Sequence, residues 1–161
     1  MNIIIAETDD SVLVAGILNR AFATVAQQFN FTQENAPRFP AFIGPEAITA
    51  QLVRGLKMYC YRINNETAGC IGYTPLKDRI YLIERLAVLP EYRHSGIGKK
   101  LMQFAERQIV KEGGNIAEAH IVDINTELVE WYKKLKYNIT RIEVLKSAPF
   151  DSYVMNKELH L

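Results

Sequence analysis

The sequence is poor in most features that would mark a specialised chain. Cysteine occurs only twice in 161 residues, as Cys60 and Cys70, too few for a disulfide framework. An excess of charge of either sign is missing as well. Nineteen Lys and Arg stand against 18 Asp and Glu, for a formal net charge of +1. No global field gathers nucleic acid, so any anion site must be local. No apolar run approaches the roughly 18 residues of a membrane span. The start, Met1-Asn2-Ile3-Ile4-Ile5-Ala6-Glu7, has no basic n-region and reads as a strand rather than a signal peptide. A cytoplasmic location with both thiols reduced is the expectation. Without a secretion signal, the Asn-x-Ser/Thr matches at Asn30, Asn65 and Asn138 are chance matches. Internal repeats, low-complexity blocks and linkers are absent too. What remains, 48% apolar and 23% charged residues, is the mix of one globular domain covering residues 1–161. A chain of this length buries roughly 70% of its unfolded surface and needs neither disulfide nor metal to fold.

Periodicity divides the chain. Residues 2–7 read as a strand, and Asp9, Asp10 and Ser11 are N-cap candidates for a helix over 11–28. Val14, Leu18, Ala21 and Val25 fall on one face of that helix. An irregular stretch, Phe29 to Gly44, follows, and a loop this long in a compact domain is more often functional than idle. Pro45 suits the first turn of a second helix, with Ile48, Leu52 and Leu56 on one face. Strands 58–63 and 67–74 flank a polar turn at Asn64-Asn65-Glu66, a hairpin that makes Cys60 and Cys70 cross-strand candidates. A strand over 79–89 ends at Pro90. A helix over 96–112, with Ile97, Leu101, Phe104, Ala105 and Gln108 on one face, ends at Gly113-Gly114. Then come a strand over 116–122, a helix capped by Asn125 or Thr126, and strands over 139–146 and 151–157. This order predicts an α/β (α+β) fold: a mixed, largely antiparallel sheet of about seven strands with helices on both faces.

The chemistry concentrates in Leu86-Ala87-Val88-Leu89-Pro90-Glu91-Tyr92-Arg93-His94-Ser95-Gly96-Ile97-Gly98-Lys99-Lys100. A strand runs into a glycine-containing turn that opens an amphipathic helix. A helix start leaves about four N–H groups without intrahelical partners, at the positive end of the macrodipole. Arg93, His94, Lys99 and Lys100 surround those donors, which describes an anion site, most simply for phosphate or pyrophosphate. A Walker loop is excluded, because Arg93 and Lys100 occupy the places of its first Gly and its Ser or Thr. A dinucleotide fingerprint fails because Leu101 stands where the third Gly belongs. The plainer reading is a glycine-containing turn before an ordinary helix.

Arg93-x-x-Gly96-x-Gly98 behind Leu86-Ala87-Val88-x-Pro90 resembles the acetyl-CoA signature of the GNAT N-acetyltransferases. Downstream, Asn125 followed by Trp131-Tyr132-Lys133-Lys134-Leu135-Lys136-Tyr137 is similar to that family's second segment, with Lys136 where the family usually has Gly. The order of elements extends the resemblance over residues 1–157. It implies a strand that splays from its neighbour and pairs with the pantetheine arm of acetyl-CoA through Leu86, Ala87 and Val88. It implies a pyrophosphate on the N–H groups of His94, Ser95, Gly96, Ile97, Gly98 and Lys99, with Arg93 and Asn125 beside the cofactor. It also implies Tyr132 near the sulfur, placed to protonate the leaving thiolate.

The chemistry then asks for a neutral amine and a base or water chain to deprotonate it. It also asks for an oxyanion donor, for which the Val88 N–H is the candidate, and close approach in a ternary complex without a covalent enzyme intermediate. Glu84, a carboxylate in an otherwise apolar strand, and His120 are the candidate bases. The plainer fates are an ion pair with Arg85 or Arg79 for Glu84, and a satisfied or exposed histidine for His120. The acceptor site is expected from Phe31, Asn35, Arg38, Phe39, Phe42 and Phe150, unless those aromatics simply pack the core. The expected acceptor is a small-molecule amine or a peptide amine, with neither nucleic acid nor membrane as partner and with pairing of two copies left open. A CoA-binding module that transfers nothing is the alternative from another class. A nucleic-acid role for Lys133, Lys134 and Lys136 is disfavoured, since those lysines suit the last turn of a helix.

Overall fold

The computed structural model describes residues 3–160; Asn2, the first residue of the expected opening strand, lies outside them. Seven strands form one sheet in the order β1-β2-β3-β4-β5-β7-β6. They are β1 (Ile3–Ala6), β2 (Lys57–Ile63), β3 (Glu66–Pro75), β4 (Ile80–Val88), β5 (Ile116–Val122), β6 (Asn138–Glu143) and β7 (Ser152–Glu158). Every neighbouring pair is antiparallel except β4 and β5. The α-helices are α1 (Ser11–Phe29), α2 (Pro45–Val53), α3 (Ile97–Lys111) and α4 (Thr126–Lys134), with short 3-10 helices at Thr8–Asp10, Pro40–Phe42 and Pro90–Tyr92. Among the described residues no helix is long and apolar enough to cross a membrane.

The two faces of the sheet carry separate cores. Val14, Leu18 and Ala21 of α1 and Ile48 of α2 pack on Met58, Cys60, Cys70 and Ala87. On the opposite face Ile97, Leu101, Met102, Ala105 and Ile109 of α3 and Val129 and Tyr132 of α4 pack on Ile71, Ile83, Ala117, Ala119 and Ile121. Each fully buried aliphatic side chain contributes roughly 1.5–3 kcal/mol. The buried stripe of α3 is rotated from the one expected: Met102 and Ile109 are buried, while Phe104 and Gln108 sit at its margin. Leu56 lies beyond the end of α2 and is buried at the entrance to β2.

The turns follow from their residues. Asn64 and Asn65 both take positive φ (47° and 67°), as a hairpin turn with the strands' twist requires and as Asn tolerates. Cys60 stands opposite Cys70, and both are buried and free. Burial pushes the Cys60 thiol up to about 11 and Cys70 higher still, so both behave as small apolar residues. Lys136 takes φ 73° just past α4. The Tyr137 N–H reaches the Tyr132 carbonyl and the Lys136 N–H reaches the Lys133 carbonyl, the bonding of a Schellman cap. The strand expected over 139–146 ends at Glu143.

β4 is where the sheet is broken to purpose. It pairs with β5 only from Ile80–Ile83 to Ile116–Ala119, although both strands continue. Glu84–Val88 therefore lose a neighbour on that side. Against β3 the register slips, because Glu84 opposes Gly72 while Ala87 opposes Cys70. Arg85 and Leu86 thus face the single residue Ile71, a bulge, and Arg85 adopts φ 57°. The bulge reverses the alternation, so Ala87 faces α1 while Leu86 and Val88 pack toward α3.

Candidate active site

The parting of β4 and β5 opens into a cleft of about 380 Å³ between α1, β4 and the starts of α3 and α4. Its β4 wall is main chain that no strand pairs, although the Val88 carbonyl already accepts from the Arg93 side chain. The Leu89 N–H donates to the Ala68 carbonyl at 2.9 Å. The alternation of antiparallel bonding then turns Ala87 toward β3 and leaves the N–H and C=O of Leu86 and Val88 facing the opening.

Below that edge lies the start of α3. Gly96 is the N-cap residue at φ 82°, with no side-chain cap bond, and His94 also has positive φ at 60°. The first intrahelical bond runs from Lys100 N–H to the Gly96 carbonyl at 3.0 Å, so the N–H groups of Ile97, Gly98 and Lys99 have no intrahelical partner. A Cβ at Gly96 would meet nothing within 4 Å. The position needs glycine for its backbone angle rather than for space. Charge of a helix start, free amides and adjacent cations make this end of the cleft fit for an anion. The open β4 edge fits an extended amide-bearing arm, so the residues present suit CoA. Among the described residues no three His, Cys, Asp or Glu side chains group as a metal site would.

The expected donor-side residues converge here. Leu86, Ala87, Val88, Arg93, His94, Gly96, Ile97, Gly98, Lys99 and Asn125 all line the cleft. Ser95 does not, since its hydroxyl turns back to the Tyr92 carbonyl. The Asn125 side chain accepts the Leu128 N–H at 3.2 Å, capping α4 while its amide nitrogen stays free for a ligand. Arg93 lines the cleft, but its guanidinium is bonded to protein.

Tyr132 is placed less directly. Trp131 lines the cleft, and Tyr132 lies behind it in the core, 4% exposed, with its ring 5.1 Å from the indole and edge-on to it. Burial alone, with no charged or hydrogen-bonded partner, holds its phenol well above the usual range.

Glu84 and His120 also stand outside the cleft, on the sheet face that carries α1 and α2. The Glu84 carboxylate accepts the Thr74 hydroxyl at 2.8 Å and lies 3.9 Å from the Arg85 guanidinium. Arg85 itself is tied to Gln51, and burial lowers its pKa against the pull of Glu84. His120 contacts Glu118 through Nε2 at 2.8 Å and Glu143 through Nδ1 at 3.4 Å. Burial disfavours the charge on Glu118, but bonds from His120 and Arg141 more than offset it and leave the carboxyl below its ordinary value. Ile83 is level with Ala119. One residue further along the same register, Glu84 comes level with His120 where the strands part.

The expected acceptor residues form a roof instead of a lined pocket. Phe31 and Phe39 are buried and pack on Phe150 with ring centroids 4.7 and 6.1 Å away. Phe22 meets Phe39 edge-on at 5.5 Å. Asn35 is consumed in its own turn, bonding Thr32 and Asn30. Arg38 is exposed and Phe42 half-buried. None of the six lines the cleft. The other phenylalanines among them pack together with Phe150 under the long loop. Sequence reasoning missed the α1 wall, Ala21, Phe22, Val25 and Gln28, and the α4 residues Glu127, Leu128 and Trp131. Ala21 and Val25 look like ordinary core positions of an amphipathic helix. Only the small size of Ala21 beside the open strand hints otherwise.

Residues 22–137 match the model of the acetyltransferase (GNAT) family. No curated protein sequence matches the chain significantly. Among solved structures, the ribosomal-protein-S18-alanine N-acetyltransferase of Escherichia coli superposes with TM-score 0.78 at 16% identity, over 99% of this chain and 94% of that one. The smu.2055 protein of Streptococcus mutans gives TM-score 0.77 at 21% identity, over 99% and 100%. The yncA structure from Salmonella typhimurium, solved with its cofactor acetyl-CoA, gives 0.73 at 17%, over 100% and 95%.

Proposed function

The chain belongs to the acetyltransferase (GNAT) family, and from that premise we propose that it moves an acetyl group from acetyl-CoA to a primary amine of a small molecule or peptide. The observation that carries this reading is the meeting of an unpaired β4 edge with the bare amides of α3 in one cleft. Acetyl-CoA supplies an activated thioester acyl group. The N–H groups of His94 through Lys99 hold the diphosphate, and Leu86, Ala87 and Val88 hold the arm as a neighbouring strand would. The Val88 N–H, aimed into the opening, donates to the carbonyl oxygen as charge develops there. Fixing both reactants across the parting strands supplies the larger share of the rate, up to roughly 7–11 kcal/mol.

Proton management falls on the other face. Glu84 and His120 flank the parting and accept the amine proton directly or through water. A phenol raised by burial stays protonated, and a thiol ionises near 8.5. Tyr132 therefore meets the leaving thiolate as an O–H donor. Its role is a hydrogen bond that lowers the cost of thiolate departure, with solvent returning the proton.

The partners already held by Glu84 and His120 and the recessed Tyr132 favour a second reading, a CoA-binding module without transfer. Thiol release from acetyl-CoA across a panel of amines, together with calorimetry of CoA, separates the two. Release that depends on the amine supports the enzyme. Tight CoA binding with no release by any amine supports the module, and no CoA binding at all refutes both.

A further inference from the structure

The cleft has two main walls that no sheet bond joins. One is the third to fifth turns of α1, with Ala21, Phe22, Val25 and Gln28; the other is the unpaired end of β4 and the turn after it. Arg93 spans them. Its Nε donates to the Val88 carbonyl at 3.2 Å, Nη1 to the Thr24 hydroxyl at 3.0 Å and Nη2 to the Ala21 carbonyl at 2.6 Å. All three guanidinium nitrogens are thus engaged, and all three acceptors are neutral. Val88 O lies on the very edge left open by β5, whereas Ala21 and Thr24 belong to the opposite wall. The planar fork makes this possible, since a lysine ammonium at the same place is a single point donor. A second link between α1 and the same turn, Arg20 to Glu91 at 2.7 Å, is an exposed pair with side chains 61% and 48% accessible. An exposed pair of that kind is worth little.

We propose that Arg93 is a positioning residue that sets the width of the cleft by tying α1 to the open end of β4, and that its charge is not what holds the diphosphate. This rests on the reading that the cleft takes CoA. The diphosphate is left to the amides of His94–Lys99 and to Lys99, which lines the cleft beside them.

The test is calorimetry of CoA with wild type, Arg93→Lys and Thr24→Val, each below its unfolding temperature, from about 0.05 to 0.5 M salt, a range over which exposed charge pairs are progressively screened. Arg93→Lys keeps the charge and loses the fork; Thr24→Val removes one acceptor without touching charge. The clamp predicts about tenfold weaker CoA binding for Arg93→Lys, a deficit that is the same at every salt concentration, and a smaller loss in the same direction for Thr24→Val. Wild-type affinity in folded Arg93→Lys overturns it. So does a deficit that closes as salt rises, which would assign Arg93 to the phosphates. A purely structural role lowers stability and leaves CoA affinity unmoved, which also overturns the proposal. If wild type binds no CoA, the functional reading fails on its own. The clamp is then decided by amide exchange over residues 21–28, where faster exchange in Arg93→Lys supports it and unchanged exchange refutes it.

Discussion

The donor end of the cleft and the aromatic roof beside it are built on opposite plans. The donor end, from His94 to Lys99, is exposed main chain arranged by two positive-φ residues and a helix start. Of its side chains only Ile97 is buried in the core. The roof, from Phe31 to Phe42 with Phe150, is side-chain packing that holds an irregular loop. One region is organised to offer unsatisfied donors, the other to leave nothing unsatisfied. Changes in the first should therefore alter ligand affinity with little effect on folding, and changes in the second should do the reverse.

The largest effect that would break this contrast is on the roof. Phe39→Ala should cost about 3–5 kcal/mol of stability in urea unfolding, with CoA affinity of the folded protein unchanged. A large loss of CoA affinity with little loss of stability would mean that Phe39 belongs to the site. On the donor side, Gly96→Asp should weaken CoA at least about 100-fold, equivalent to roughly 2.7 kcal/mol, through backbone strain and a negative charge facing the diphosphate. Gly96→Asn tolerates the same φ without the charge and should lose far less. Equal losses in calorimetry would leave the charge argument without support.

Tyr132→Phe sharpens the comparison, because Tyr132 is packed like the roof yet assigned to chemistry. It should lower kcat roughly 30-fold, about 2 kcal/mol of transition-state stabilisation, while CoA affinity stays within about twofold. A wild-type kcat removes its assignment. The smallest effect is at Lys136, held at φ 73° where glycine suits the cap. Lys136→Gly should stabilise the protein by about 1 kcal/mol, visible as a rise in Tm of roughly 2–4 °C. A fall in Tm would show that the lysine side chain stabilises the protein by more than its backbone strain costs.

The same contrast explains what was legible in the chain. Periodicity located every α-helix and strand of the described residues, with errors at element ends, such as the strand expected to reach residue 146, and in the buried face of α3; the short 3-10 helices at Thr8–Asp10, Pro40–Phe42 and Pro90–Tyr92 were not read. The donor end was legible because backbone geometry leaves a compositional trace: glycines at 96 and 98, a strand before them and a helix after. The roof was not, because Phe31 and Phe39 read alike as pocket lining or as core. The α1 wall left no trace either, since Ala21 and Val25 repeat at core spacing whether or not a cleft opens beside them. Nor could the β4 bulge be read. Its φ 57° falls on Arg85, where nothing in the residue type announces it.

The central claim is that main-chain amides at the start of α3 and on the open edge of β4 receive CoA. Amide-resolved NMR during a CoA titration tests it most directly. The largest shifts should fall on His94–Lys99 and on Leu86 and Val88, with the amides of the Phe31–Phe42 loop nearly still. Shifts centred on that loop or elsewhere, or no shifts at saturating CoA, would contradict it.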